Sequence, residues 1–328
     1  MRAILKPLSL ATSIGMLVVV VMGATVTNTG SAEGCGRSWP LCNGQLVPEF
    51  AVKTMIELSH RAVTGIETVL VLALAAGLLI VYRQRGPEGA PARVLAILMV
   101  GGLFLQAGMG AWAVLYPQQP GVIALHFGIS LIAFASTVLA ATFVREADSG
   151  QSRRGAPVPP SFVRLVWLSL IYSLPVVYLG AYVRHAGFDA ACRDWPLCNG
   201  AIVPTLSLPV VVVLAHRLAA LGLVGLLIVL AVWAGRLPSE RPDLAHGSLA
   251  AVVLVLLQSL SGATVVWTGL GLWSALSHAG IMALLFGSIS YLCFQVRPLA
   301  ESARTAQDEG GGSTRVQPSK WSKSVSQL

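Results

Sequence analysis

Charge is scarce in this chain. Of its 328 residues only 11% are Asp, Glu, Lys or Arg, and 14 are acidic. Soluble domains carry about 25% charged residues, so an ordinary soluble fold is excluded. Disorder is excluded as well, because it requires low hydrophobicity. Cysteine is also scarce, at five, too few for a disulfide scaffold, so the positions of the cysteines carry the information. Apolar residues are plentiful: 55% of the chain is hydrophobic and the mean hydropathy is +0.74. This is the composition of an all-α polytopic membrane protein. The net charge of +8 would suggest nucleic acid in a soluble chain. Here it calls for a count of loops.

A spanning helix needs about 20 largely apolar residues. Eight stretches qualify, at roughly 7–26, 56–82, 94–115, 121–144, 163–183, 208–235, 245–268 and 273–296. Eight spans place both termini on one side. Of the 22 Lys and Arg residues, six (Arg37, Lys53, Arg61, Arg184, Arg193, Arg217) fall on the far side and 16 on the side of the termini. Positive residues favour the cytoplasm, so both termini are expected inside and nucleic acid is not a partner. The first run resembles a signal peptide, with Arg2 and Lys6 before it and Gly30-Ser31-Ala32 after it. The repeat described next pairs it instead with an interior span. Residues 146–161 are polar, with Arg153-Arg154 and three prolines, and read as a cytoplasmic linker. Residues 298–328 read as a disordered tail.

The chain repeats itself. Trp39-Pro40-Leu41-Cys42-Asn43-Gly44 recurs as Trp195-Pro196-Leu197-Cys198-Asn199-Gly200, and His60-Arg61 recurs as His216-Arg217, at an offset of 156. Gly23-Ala24 matches Gly180-Ala181 at 157. Leu105-Gln106 matches Leu257-Gln258, Gly110-Ala111 matches Gly262-Ala263 and His126 matches His278 at 152. A four-span repeat keeps its orientation, so two parallel four-helix bundles are expected, at 1–145 and 162–297.

His60, His126, His216 and His278 open spans 2, 4, 6 and 8, roughly 8–12 Å below the outer end at 1.5 Å per residue. A lone histidine there would read as a core residue with a hydrogen bond. Four at one depth, duplicated, read as ligands, since polar groups in the membrane are costly and tend to be functional. Zinc takes three or four protein ligands, and no third recurs in both halves, so a bis-imidazole haem site in each half is the reading. Arg61 and Arg217 follow the ligands. They either snorkel to the interface or pair with haem propionates, and the second is preferred. His185 and His246 do not repeat and read as solvated or interfacial, and Cys293 reads as an apolar filler.

Cys35/Cys42 and Cys192/Cys198 lie in the long outer loops, on the side where disulfides persist. For Cys192-Cys198 a loop staple is preferred. For Cys35-Cys42 a staple and a redox-active pair remain open. The halves differ at Glu57, one turn outward of His60, where the second half has Val213, and at Glu67, seven residues past His60, where it has Leu223. A carboxylate beside one site alone points to proton-coupled chemistry in the first half and electron transfer in the second. Glu57 also suits a helix start, and Glu67 suits a structural partner equally well.

Together, Cys35-Gly-Arg-Ser-Trp-Pro-Leu-Cys42, Glu57-x-x-His60-Arg61, His126, His216-Arg217 and His278 on eight spans resemble the haem A synthase family in its cysteine-containing bacterial form. The resemblance implies oxidation of a ring methyl of haem O to the formyl group of haem A. It implies substrate haem at His60 and His126, a haem b cofactor at His216 and His278, a required Glu57, and Cys35/Cys42 acting with the substrate site. It further implies haem O synthase as supplier, terminal oxidases as recipients, an electron acceptor, and a place in the lipid of the bacterial cytoplasmic membrane. A quinone-linked dihaem cytochrome b is the alternative. It accounts for the histidines but not for Glu57 or the cysteine pairs. A parallel-repeat transporter would place paired helix breaks near midplane, whereas the shared breaks here lie in the outer loops.

Overall fold

The computed structural model describes residues 2–46, 48–83, 89–116, 119–148, 158–237 and 241–297. Among these there are eight helices and no strand: α1 (Arg2–Asn28), α2 (Val52–Tyr82), α3 (Ala90–Leu115), α4 (Pro120–Asp148), α5 (Pro160–His185), α6 (Leu208–Ala234), α7 (Pro242–Trp267) and α8 (Leu272–Gln295). All eight are long and apolar enough to cross a membrane, so the chain is an all-α polytopic membrane protein. Proline opens five of them: Pro91, Pro120, Pro160, Pro209 and Pro242 stand in the first turn of α3 to α7. There the missing N–H removes a donor that had no helical partner anyway.

The helices outrun the apolar stretches that announce them. α1 begins at Arg2, α2 at Val52, and α4 continues to Asp148. Hydropathy marks the part of a helix that needs lipid, while the backbone ladder continues past it into polar residues. Both ends of the segment expected as a linker, 146–161, are therefore helical. Its middle, 149–157, and the tail expected over 298–328 lie outside the described residues.

Helix α1 packs on α2 and α4, and α3 closes the same ring against α2 and α4; α5, α6, α7 and α8 close a second ring. The rings meet where α4 touches α5 and α8 and where α8 touches α1. As a result α4 and α8 are the most enclosed helices, with 50% and 56% of their apolar stretch buried against 17–33% for the other six. Glycines bring these helices close. A Cβ on Gly287 would lie 3.2 Å from the Phe134 ring, and one on Gly280 would lie 3.6 Å from Val21. Tyr178 fills the space beside Gly128. Helices in lipid gain no hydrophobic term by meeting, so close approach through small residues sustains such seams.

Polar ties secure both ends of the junction. Arg184 Nε donates to Asn28 Oδ1 at 2.9 Å and its Nη1 to Asp189 at 2.7 Å. At the other end Arg241 donates to the Gln295 carbonyl at 3.0 Å, and Gln295 Nε2 donates to Glu146 at 2.6 Å.

Candidate functional site

Each of the four histidines lies against a glycine of the preceding helix. A Cβ on Gly23 of α1 would stand 3.4 Å from His60 Cε1, and one on Gly110 of α3 would stand 3.5 Å from His126 Cε1. The corresponding approaches are 2.6 Å from Gly180 of α5 to His216 and 3.2 Å from Gly262 of α7 to His278. The glycines form slots that admit an imidazole edge between neighbouring helices. His60 and His126 interact electrostatically with each other, as do His216 and His278, so each ring of helices gathers one pair. All four are half-buried.

Two glutamines complete the pairs. Gln258 Nε2 lies 3.1 Å from His278 Nε2, and Gln106 Nε2 lies 3.4 Å from His126 Nε2. In the second half His216 Nδ1 meets the Val176 carbonyl at 3.1 Å, and His278 Nδ1 meets Ser261 Oγ at 2.8 Å. In the first half His60 Nδ1 and His126 Nδ1 are buried without a partner among the described residues.

The cysteine pairs are disulfides, Cys35–Cys42 and Cys192–Cys198. Each closes a loop that turns at Asn-Gly: Asn43 and Gly44 have φ of 52° and 77°, and Asn199 and Gly200 have φ of 56° and 76°. Asparagine and glycine are the residues that tolerate this region in succession. The arginines after the histidines hold these loops. Arg61 Nη1 donates to the carbonyls of Ser38 at 2.9 Å and Leu41 at 2.8 Å, and Arg217 donates to those of Asp194 at 2.9 Å and Leu197 at 2.6 Å. Neither snorkelling nor propionate pairing, the two uses considered for these residues, foresees this clamp. Its signal in the sequence is the arginine repeating at a fixed distance from the Trp-Pro-Leu-Cys run.

Glu57 is 3% exposed and joins α2 to the first loop. Its Oε2 accepts the Cys35 N–H at 2.8 Å and its Oε1 accepts Arg61 Nη2 at 2.5 Å. Val213, also buried, leaves Arg217 without this partner. Glu67 is buried against Gly15 of α1, with Oε1 unpartnered among the described residues. Leu223 fills its counterpart position. Cys293 is buried, with Sγ 3.8 Å from the Val166 carbonyl, as befits a filler. His246 is exposed. His185 is half-buried at the end of α5 and within electrostatic reach of His126; its lack of a repeat partner concealed that proximity.

The donor set fits a haem. Among the described residues no three His, Cys, Asp or Glu side chains gather in a way that could hold a bare ion. Each pair instead offers two imidazoles from facing helices, each ring edge against a glycine, and a Cβ would crowd the ring at Gly180 and Gly262; in the first pair both Nδ1 atoms are buried without a partner among the described residues. Residues 6–290 match the family model described as COX15-CtaA, cytochrome oxidase assembly protein. The chain is 41% identical over 299 residues to a protein of Bacillus licheniformis named "Heme A synthase", covering 90% of this chain and 97% of that one. Proteins of the same name from Symbiobacterium thermophilum and Geobacillus kaustophilus are 38% and 39% identical, covering 90% and 95% of this chain and 96% and 98% of theirs. The chain belongs to the haem A synthase family. Nearly all of this haem A synthase family member takes part in the match, with both disulfide loops and all four histidines inside the matched region.

Proposed function

We propose that the protein oxidises a ring methyl of haem O to the formyl group of haem A. In this reading His60 and His126 hold the substrate, and His216 and His278 hold haem b. The observation that carries the reading is the asymmetry of two otherwise matched imidazole pairs. Only the first is overlooked by a buried carboxylate, Glu57, one turn outward of His60 and bonded to the disulfide loop. Haem b, when bound, supplies a site that accepts and passes on electrons.

Two successive hydroxylations by water, methyl to hydroxymethyl and hydroxymethyl to the aldehyde hydrate that loses water, would each release two electrons and two protons, with the electrons leaving through haem b to an electron acceptor outside the protein. Glu57 has a lone pair left on each oxygen after accepting from Cys35 and Arg61, so it can take a proton without leaving its place. Arg61 and Arg217 keep part of their five-donor fork for a propionate while the rest clamps the loops. The disulfide loops cover the outer face, both termini lie on the cytoplasmic side of a bacterial membrane, haem O synthase supplies the substrate and a terminal oxidase takes the product.

The test is a haem inventory of purified protein combined with turnover of supplied haem O. Haem O or A beside haem b, with conversion of haem O, is expected. Haem b alone without conversion would leave a dihaem cytochrome b. His216→Met and His278→Met should deplete haem b; depletion on changing His60 or His126 instead reverses the halves.

A further inference from the structure

The two halves differ at Nδ1 of the imidazoles, the nitrogen opposite the Nε2 that would bind a haem iron. In the second half both Nδ1 atoms have a hydrogen-bond partner, and the bonding pattern favours the proton on Nδ1 in each ring. The partner of His216 Nδ1 is the Val176 carbonyl at 3.1 Å, and a carbonyl only accepts, so Nδ1 carries the proton and Nε2 is bare. Ser261 donates its single hydroxyl hydrogen to the Gln258 carbonyl at 2.8 Å, so it can only accept from His278 Nδ1, also at 2.8 Å. The Gln258 amide then donates to the bare Nε2 at 3.1 Å. Both second-half rings are thus held with the proton on Nδ1 and the lone pair on Nε2; at His278 the Gln258 amide occupies that lone pair and would have to give it up to a haem iron.

The first half lacks both acceptors. His60 Nδ1 and His126 Nδ1 are buried with no partner among the described residues. At the offset of 152, Ser261 corresponds to Met109, and Met282 corresponds to Ser130. Each half thus has one serine and one methionine at these two positions, in exchanged order. In the first half the serine stands on the far side of the glutamine: Ser130 contacts Gln106 Nε2 and donates to the His126 carbonyl at 2.8 Å. It does nothing for Nδ1.

We propose that these Nδ1 bonds, one from a backbone carbonyl and one supplied by the serine–methionine exchange, decide which haem the protein keeps. The Nδ1 bonds to Val176 and Ser261 retain haem b in the second half. Their absence at His60 and His126 lets the first half take up one haem and release another. An acceptor at the outer imidazole nitrogen fixes ring orientation and raises ligand basicity, and is worth about 10–100-fold in metal affinity. A resident cofactor needs that hold, whereas a substrate that must leave as product is hindered by it. Ser261 is a positioning residue in this account, which rests on the assignment of the halves proposed above.

The test uses full-length protein carrying Ser261→Ala, Ser261→Thr or Met109→Ser. Haem transfer to apomyoglobin is followed with the haem types separated after extraction, and the haem b midpoint potential is titrated. Ser261→Ala should lose haem b about 10-fold faster or more. Its potential should rise, because a less electron-rich imidazole favours ferrous iron. Ser261→Thr, which keeps the hydroxyl, should behave as wild type, and Met109→Ser should slow release from the first half. An unchanged off-rate and potential in Ser261→Ala overturns the inference while leaving the assignment of the halves intact. A His278→Met protein that retains haem b overturns that assignment, and this inference with it.

Discussion

The glycine slots make a graded prediction, because their four clearances differ. In Gly180→Ala the new Cβ would stand 2.6 Å from His216 Cε1, 3.1 Å from Nε2 and 3.2 Å from Nδ1. To reach an ordinary contact near 3.4 Å the ring must retreat from α5 by about 0.8 Å. Val176, which accepts the Nδ1 hydrogen at 3.1 Å, is on that same helix, so the retreat stretches the bond to about 3.9 Å and breaks it. A buried donor left unpaired costs about 1–3 kcal/mol. The alanine returns about 0.5–1 kcal/mol of helix propensity, which does not restore the ring. Haem b affinity should fall about 10-fold or more, since 1.4 kcal/mol is a factor of ten. Gly23→Ala places its Cβ 3.4 Å from His60 Cε1 and Gly110→Ala 3.5 Å from His126 Cε1, so neither ring has to move and both proteins should melt no lower than wild type. Gly262→Ala, at 3.2 Å, should fall between. The assay is haem per polypeptide after gel filtration, by pyridine haemochrome, together with thermal melting. Full haem b in Gly180→Ala, or an equal loss of haem from Gly23→Ala, would refute the reasoning.

Three further outcomes are expected. Glu57→Gln removes the ion pair with Arg61 and the proton acceptor, and should abolish most turnover with haem b content unchanged; full turnover with normal haem binding would sink the role given to Glu57. Cys192→Ser with Cys198→Ser opens a short covalent loop and should cost about 2.5 kcal/mol, read as a lower melting temperature, with turnover largely kept; an inactive but equally stable protein would mean that this bridge acts in the chemistry. Glu67→Leu installs the second-half residue in place of a buried carboxyl with an unpartnered oxygen, and should melt no lower than wild type because that unmet burial costs about 1–3 kcal/mol. A strongly destabilised Glu67→Leu would show that the carboxyl has a structural partner after all.

Hydropathy located all eight helices because each membrane crossing demands its own apolar run, and it misplaced their ends because the backbone ladder does not stop at the lipid boundary, as at Arg2 and Asp148. The histidines, Glu57 and the cysteine pairs were legible because ionisable and reactive residues stand out against so apolar a background. The glycine slots and the Arg61 and Arg217 clamps were not. A glycine says nothing in sequence about what fills the space beside it, and an arginine does not announce that backbone carbonyls some twenty residues earlier will accept its hydrogens. The repeat nevertheless held the clue: Gly110/Gly262 and Gln106/Gln258 recur at the offset of 152 of the histidines they touch, and Gly23/Gly180 at 157, one residue off that of His60/His216. The exchange of Met109 and Ser130 for Ser261 and Met282 takes its meaning from how those side chains pack around an imidazole, which residue spacing does not specify.

If the two imidazole pairs hold haems as proposed, the seam between α4 and α8 sets the path that electrons would take. These two helices carry His126 and His278, one histidine from each pair, and they pack directly against each other. Phe134 lies against Gly287 about two turns below those ligands. Packed helices stand about 8–10 Å apart, so a charge leaving one site reaches the other across a single wall of close-packed side chains. In the proposed function, electrons taken from the substrate in the first half would leave through the second across this one helix pair.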